Sequence, residues 1–177
     1  MSETKNPAAN PAQDVFTISR TFDTDRDTIF KLWTDPDQLK HWWGPKGYTV
    51  RVAKIHLRPG GTFHYCLEAP DGTEMWGKFT FREVAKPKRL VFVSSFSDDR
   101  GGVTRHPMNQ NWPRELLSKV LMVEENGRTT ATVEWSPLNA SPIELETFRE
   151  GQESMQQGWT GTFDQLENYV ASLGESG

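Results

Sequence analysis

One cysteine stands among 177 residues, so no intrachain disulfide can form and burial alone must hold the fold. No apolar run approaches the ~20 residues that a transmembrane helix needs. The opening stretch, MSETKNPAANPAQD, has neither a basic nor an apolar segment, and a secretory signal requires both. Charge of one sign is never blocked: 20 Lys and Arg stand against 24 Asp and Glu, net charge -4, scattered along the chain. A nucleic-acid partner needs a clustered basic face, so that class is set aside. There is no H-E-x-x-H, G-x-S-x-G or phosphate loop. RGGV and PGG read as turns. His64 and Cys66 share one face of a strand, yet no further ligand stands at zinc spacing. Cys66 reads better as an inert buried thiol than as a nucleophile. The expectation is a cytoplasmic protein with no metal, no cofactor and no membrane span.

What is there is aromatic: seven Trp and ten Phe. Residues 1–13, rich in Ala, Asn and Pro, have little to bury and read as a disordered tail. Residues 14–173 read as one domain, and 174–177 as a short C-terminal tail. VFTISRTF alternates, with Phe16, Ile18 and Phe22 on one face of a strand. Arg20 falls on that same face. A helix pair follows. Thr24 with Asp27 resembles a capping box, and Ile29, Phe30 and Trp33 form a stripe. Asp35 and Pro36 restart the helix. Leu39, Trp42 and Trp43 then fit one broad buried stripe at i, i+3 and i+4, which Gly44 and Pro45 end.

From Tyr48 to Pro137 the pattern is β. The phase slips between Val52 and Ile55, as a bulge would require. PDG and NG mark hairpin turns, giving about seven strands, mostly antiparallel. Residues 97–113 form a long polar loop, the kind that is often functional or mobile. Ser141 and Glu144 match a capping box. Phe148, Met155, Trp159, Phe163, Leu166, Val170 and Leu173 then predict one amphipathic helix of about 30 residues, roughly 45 Å long. Gly151, Gly158 and Gly161 weaken that helix by up to ~1 kcal/mol each. They either admit close packing on the sheet or leave room for a ligand beside Trp159.

The segments FKLWTDPDQLKHWWGPKGYTV, GKFTFREVAKPKRLVF, VEWSP and MQQGWTGTFDQLENYV resemble a bacterial family related to the C-terminal domain of the ATPase activator of the large heat-shock chaperone. That family lies within the START-related, birch-pollen-allergen-like SRPBCC superfamily. The resemblance spans about residues 14 to 173. It implies an α+β helix-grip fold, a curved antiparallel sheet wrapped around a long C-terminal helix, with a cavity between them and Trp42 and Trp43 plugging one end.

Phe63, Tyr65, Phe79, Phe81, Phe92 and Phe96 would then lie on the concave face, either as filled core or as the wall of an apolar pocket. The expected site combines Trp43, Tyr65, Phe79, Phe92, Met155 and Trp159 with Arg20. Arg20 has two readings. It is an ion pair with an acid such as Glu68, Glu83 or Glu134, or an anchor for an anionic ligand head. The leading function is binding of a small apolar or amphipathic molecule. A cyclase- or hydrolase-like enzyme in the same cavity is an alternative, although no acid–base pair can be named. A co-chaperone stimulating a partner ATPase is another, weakened because this chain has no room for the activator's additional partner-binding domain. Oligomeric state is left open, a homodimer included.

Overall fold

The computed structural model describes residues 14–176, with the side chains described as far as residue 174. The tail expected over residues 1–13 lies outside the described residues. Strand β1 (Phe16–Phe22) leads into helices α1 (Arg26–Thr34) and α2 (Pro36–Leu39). Strands β2 (Thr49–Ile55), β3 (Thr62–Glu68), β4 (Glu74–Ala85), β5 (Arg89–Ser97), β6 (Val103–Thr104), β7 (Leu116–Glu125) and β8 (Arg128–Pro137) follow. Helices α3 (Pro142–Glu150) and α4 (Gln152–Ser176) end the fold. The strands form one curved sheet in the order β1-β8-β7-β5-β4-β3-β2, with β6 paired to β5. Every pairing is antiparallel. This is the helix-grip architecture, α+β as the sequence predicts.

Local chemistry explains most of the joints. Asn126 and Gly127 both take positive φ, 56° and 78°, the conformation that a two-residue turn of the mirror-image type needs between β7 and β8. The register of β2 on β3 shifts between Val50 and Val52, close to the phase slip in the sequence. A second shift lies between Phe81 and Glu83, and the two bulges help to curve the sheet. Ser141 and Glu144 form the full capping box, with Pro142 at the first helical position of α3.

Three expectations are corrected. Helix α1 is capped by Asp25, whose carboxylate accepts from the Thr28 amide at 2.8 Å. Thr24 is instead drawn into the turn after β1, its carbonyl accepting from the Thr129 hydroxyl at 2.8 Å. Helix α2 is only four residues long. Trp42 and Trp43 follow it in tight turns whose amides donate to the Leu39 carbonyl at 3.3 and 3.0 Å. The C-terminal helix is two helices, broken at Gly151 (φ -90°, ψ 7°). A Cβ at that position would lie 3.0 Å from Cζ3 of the Trp112 ring, so a residue of low helical preference sits where a loop packs against the helix. Beyond the break, α4 runs on to Ser176, through most of the segment expected as a tail.

The core lies between the concave face and α4. Phe63, Phe81, Leu90, Phe92, Val120, Met122 and Val133 are buried from the sheet side. Met155, Trp159, Phe163, Leu166 and Val170 are buried from the helix side. They are the periodic apolar positions of α4, as an amphipathic helix requires. Among the described residues no helix is long and apolar enough to cross a membrane.

Candidate functional site

The grip is not filled. A cavity of about 590 Å³ remains between the concave face and α4. Its inner wall is apolar: Trp43, Leu67, Met75, Phe79, Leu116 and Trp135, faced by Met155 and Trp159. Its other side is the connection after β6, which brings His106, Asn109, Trp112 and Arg114 to the lining, opposite Glu150 and Ser154 of the two helices. The Trp43 ring anchors the aromatic part. It meets Phe79, Tyr65 and Trp159 at ring-centroid distances of 5.4, 5.7 and 5.7 Å, mostly edge to face, the arrangement favoured by aromatic quadrupoles. Trp159 also touches Trp33, Trp135 and Phe163.

The expected site residues are only partly assembled. Trp43, Tyr65, Phe79, Met155 and Trp159 line the cavity. Phe92 does not; it lies behind Phe79, stacked on it at 4.0 Å, so it supports the wall without forming it. Arg20 does not either. It faces inward, as the strand alternation requires, but its guanidinium donates to Asp164 at 2.7 Å and Glu167 at 3.1 Å and lies 5.7 Å above the Phe163 ring. The partners are carboxylates of α4 and not Glu68, Glu83 or Glu134. Lys46 also reaches Asp164 at 3.1 Å. Arg20 and Lys46 together hold the Asp164 carboxyl below its usual range.

The glycines divide. A Cβ at Gly158 would meet nothing within 4 Å, and one at Gly161 would make ordinary contact with the flexible Lys46 side chain. Neither serves close packing on the sheet, and Gly158 borders the cavity. Only Gly151 is there for a tight approach. Gly77, paired with Tyr65 across β3 and β4, has a related purpose: the Tyr65 hydroxyl would stand 2.4 Å from a Cβ there. Removing that side chain lets the tyrosine ring lie across the strand.

Burial pushes the Tyr65 hydroxyl far above the ordinary phenol range, opposed slightly by the nearby Trp43 indole N–H. That N–H is itself buried without a hydrogen bond of normal geometry. Desolvation also lowers the pKa of His106, whose ring packs at a tilt against Phe96 with centroids 4.8 Å apart. Its Nδ1 accepts from the Met108 amide at 3.0 Å, so the neutral ring carries its proton on Nε2. No group of three His, Cys, Asp or Glu could hold a metal among the described residues. Cys66 is fully buried, and burial raises its thiol pKa.

The sequence reading missed Trp135, His106, Trp112 and Arg114. Trp135 was legible: it follows Val133 at a spacing of two on β8 and shares its face. Trp112 left a weaker sign, a tryptophan inside an otherwise polar loop. His106 and Arg114 left none, because only the path of that loop brings them to the cavity. The loop itself is anchored. Asp98 accepts from the amides of Arg100 and Gly102 at 2.9 and 2.8 Å. Arg105 donates to Glu144 at 2.6 Å, and Trp112 packs on Phe148.

A family model described as Activator of Hsp90 ATPase homolog 1-like protein matches residues 23–171. Similar solved structures include protein Ms6760 from Mycobacterium smegmatis, 24% identical, covering 89% of this chain and 91% of that one at a TM-score of 0.71. Protein NE0264 from Nitrosomonas europaea is 21% identical, covering 91% and 96% at a TM-score of 0.73. A protein from Arthrobacter aurescens is 24% identical, covering 91% and 88% at a TM-score of 0.74. At these identities the likeness carries the fold alone. No curated protein matches the chain.

Proposed function

The chain belongs to the family of Activator of Hsp90 ATPase homolog 1-like proteins, and from that footing we propose that it binds a small apolar or amphipathic molecule inside the grip. The observation that carries this reading is the cavity of about 590 Å³ under an otherwise closely packed aromatic core. A space of this size, within the range of ligand pockets and lined mostly by aromatic and aliphatic side chains, has the usual form of a small-molecule site.

Physical chemistry sets what such a site can hold. Apolar area removed from water contributes about 25 cal/mol per Å², offset by the cost of ordering the ligand. The aromatic wall therefore supplies most of the affinity. The titratable residues of the lining are Tyr65, His106, Arg114 and Glu150. Arg114 and Glu150 are exposed to water, and no hydrogen bond joins any two of these four side chains, so the enzyme alternative has no assembled acid–base pair to rest on. A single buried, protonated thiol suits the reducing cytoplasm, where we place this binding.

The test is titration of the purified chain with 2-isopropylnaphthalene and with 2-acetylnaphthalene, followed by tryptophan fluorescence and calorimetry. Micromolar affinity and quenching of Trp43 and Trp159 are expected. Absence of binding by any apolar probe would remove this function.

A further inference from the structure

Charge is missing from the depth of the cavity. Its two ionic side chains, Arg114 and Glu150, are of opposite sign and both are exposed. The inward-directed cation, Arg20, is held by Asp164 and Glu167. An ionised group carried into the aromatic wall would lose its hydration with no counter-charge to replace it, which is strongly unfavourable. The lining carries several hydroxyls, and that of Tyr65 belongs to its aromatic part. No described residue accepts a hydrogen bond from it, while the hydroxyls of Thr162 and Ser94 are committed. Thr162 donates to the Gly44 and Gly158 carbonyls, each at 3.1 Å, and Ser94 pairs with Ser118 at 3.0 Å.

The Tyr65 hydroxyl is also fixed in place. Its ring is wedged against Trp43, Phe63 and Phe79 at centroid distances of 5.7, 5.0 and 5.8 Å. The missing side chain of Gly77 gives it its bed. Trp43 presents its unpartnered indole N–H close to the phenol oxygen. A donor on that oxygen leaves the phenol's own proton free for something else. A rigid donor with no acceptor in the protein, set in a mostly apolar wall, is the means by which a pocket distinguishes molecules of the same shape.

We propose that the cavity selects uncharged molecules whose apolar body carries an oxygen acceptor, a carbonyl or an ether, and that the Tyr65 hydroxyl donates the hydrogen bond that recognises it. This rests on the binding function given above. Because burial keeps the phenol protonated far into the alkaline range, the donor persists at every physiological pH.

Three probes of matched size separate the possibilities: 2-acetylnaphthalene, 2-isopropylnaphthalene, which has carbon in place of the oxygen, and 2-naphthoate. Calorimetry on the full chain and on Tyr65→Phe is expected to show the ketone weakened about three- to tenfold by the substitution. The hydrocarbon should change by less than twofold. Equal weakening of ketone and hydrocarbon would overturn the role of Tyr65. 2-Naphthoate should bind the native chain at least about tenfold more weakly than the ketone, and tighter binding would overturn selection for uncharged ligands. An independent readout needs no variant: the carbonyl stretch of isotope-labelled 2-acetylnaphthalene should shift to lower frequency on binding. A stretch unchanged from that in an alkane would refute the hydrogen bond. Failure of all three probes to bind the native chain would instead defeat the binding function itself, and this selectivity with it.

Discussion

Gly158 offers the sharpest test of whether the cavity is a site or a packing flaw. It lies in the interior of α4, borders the cavity, and a Cβ placed on it meets nothing within 4 Å. Glycine in a helix interior is less favourable than alanine by about 0.8–1.0 kcal/mol, because it has more backbone freedom to lose. Gly158→Ala should therefore stabilise the fold by close to 1 kcal/mol. In a domain of this size that raises the melting temperature by about 2–4 °C. Gly158→Leu keeps nearly all of the helical gain and sends an isobutyl group into the cavity mouth. It should leave stability at or above the native value while weakening apolar probes by about tenfold or more, or ~1.4 kcal/mol. Thermal and urea denaturation measure the first quantity, and calorimetry with 2-isopropylnaphthalene the second. A glycine required for close packing would give the opposite result. Loss of more than about 0.5 kcal/mol in Gly158→Ala would mean that the helix face at 158 is closed and that the cavity is not open in solution.

Trp159 is buried and touches Trp33, Trp43, Trp135 and Phe163, so Trp159→Ala should cost about 3–5 kcal/mol in urea titration; a loss under about 1 kcal/mol would contradict its central place. Arg20→Met removes a partly exposed ion-pair network and should change the affinity of acidic and neutral probes by less than about twofold, whereas selective weakening of acidic probes would restore Arg20 to the site. The Glu144 carboxyl is held below its usual range, chiefly by the Arg105 guanidinium and the Ser141 amide. A lowered folded-state pKa stabilises the fold above the unfolded pKa, and that stability is lost as pH falls through the folded value. Glu144→Gln should thus be less stable than the native chain at about pH 7 and converge with it toward about pH 3; a stability gap independent of pH would show that the ionic contacts do not contribute it.

The fold was legible wherever one residue type answers one geometric demand. Asn126-Gly127 announces a turn with two positive φ angles, Ser141 with Glu144 announces a helix start, and the period-two pattern of β7 and β8 announces a half-buried sheet. Where several residues could meet the same demand, the reading slipped. Thr24 and Asp25 can both cap α1, and the choice falls to Asp25 because Thr24 is drawn against β8 by Thr129. The break at Gly151 was hidden because an apolar stripe continues across it from Phe148 to Met155. Only the arrival of Trp112 from a distant loop shows why the helix ends there. Arg20 displays the same limit: alternation placed its side chain inward, but its partners lie 144 and 147 residues away. Sequence period reports which face a residue occupies, not what it will meet.

The adjacent pair Trp42–Trp43 explains how one short stretch serves both the core and the cavity. Their rings stand at 89° to each other. Trp42 turns into the helix pair, its indole N–H donating to the Leu32 carbonyl at 2.9 Å, while Trp43 turns toward Tyr65 and Phe79. Two neighbours can diverge in this way only if the chain leaves the helix at once, and Gly44, with φ of 106° and Leu67 side-chain atoms at 3.1 Å from any Cβ it might carry, permits that exit. The carbonyls freed by the exit do not go to waste in a buried setting. Gln165 donates to those of Trp42 and Gly44 at 3.2 and 2.7 Å, and Thr162 donates to that of Gly44 at 3.1 Å. The broken chain is thereby tied to α4 over the two turns beyond Trp159. Those bonds position Trp43 against the helix and leave the space beside Gly158 open. Hydrogen bonds within the cavity wall thus tie the chain after Trp43 to α4, which lets the apolar lining stay underfilled without the helix settling onto the sheet.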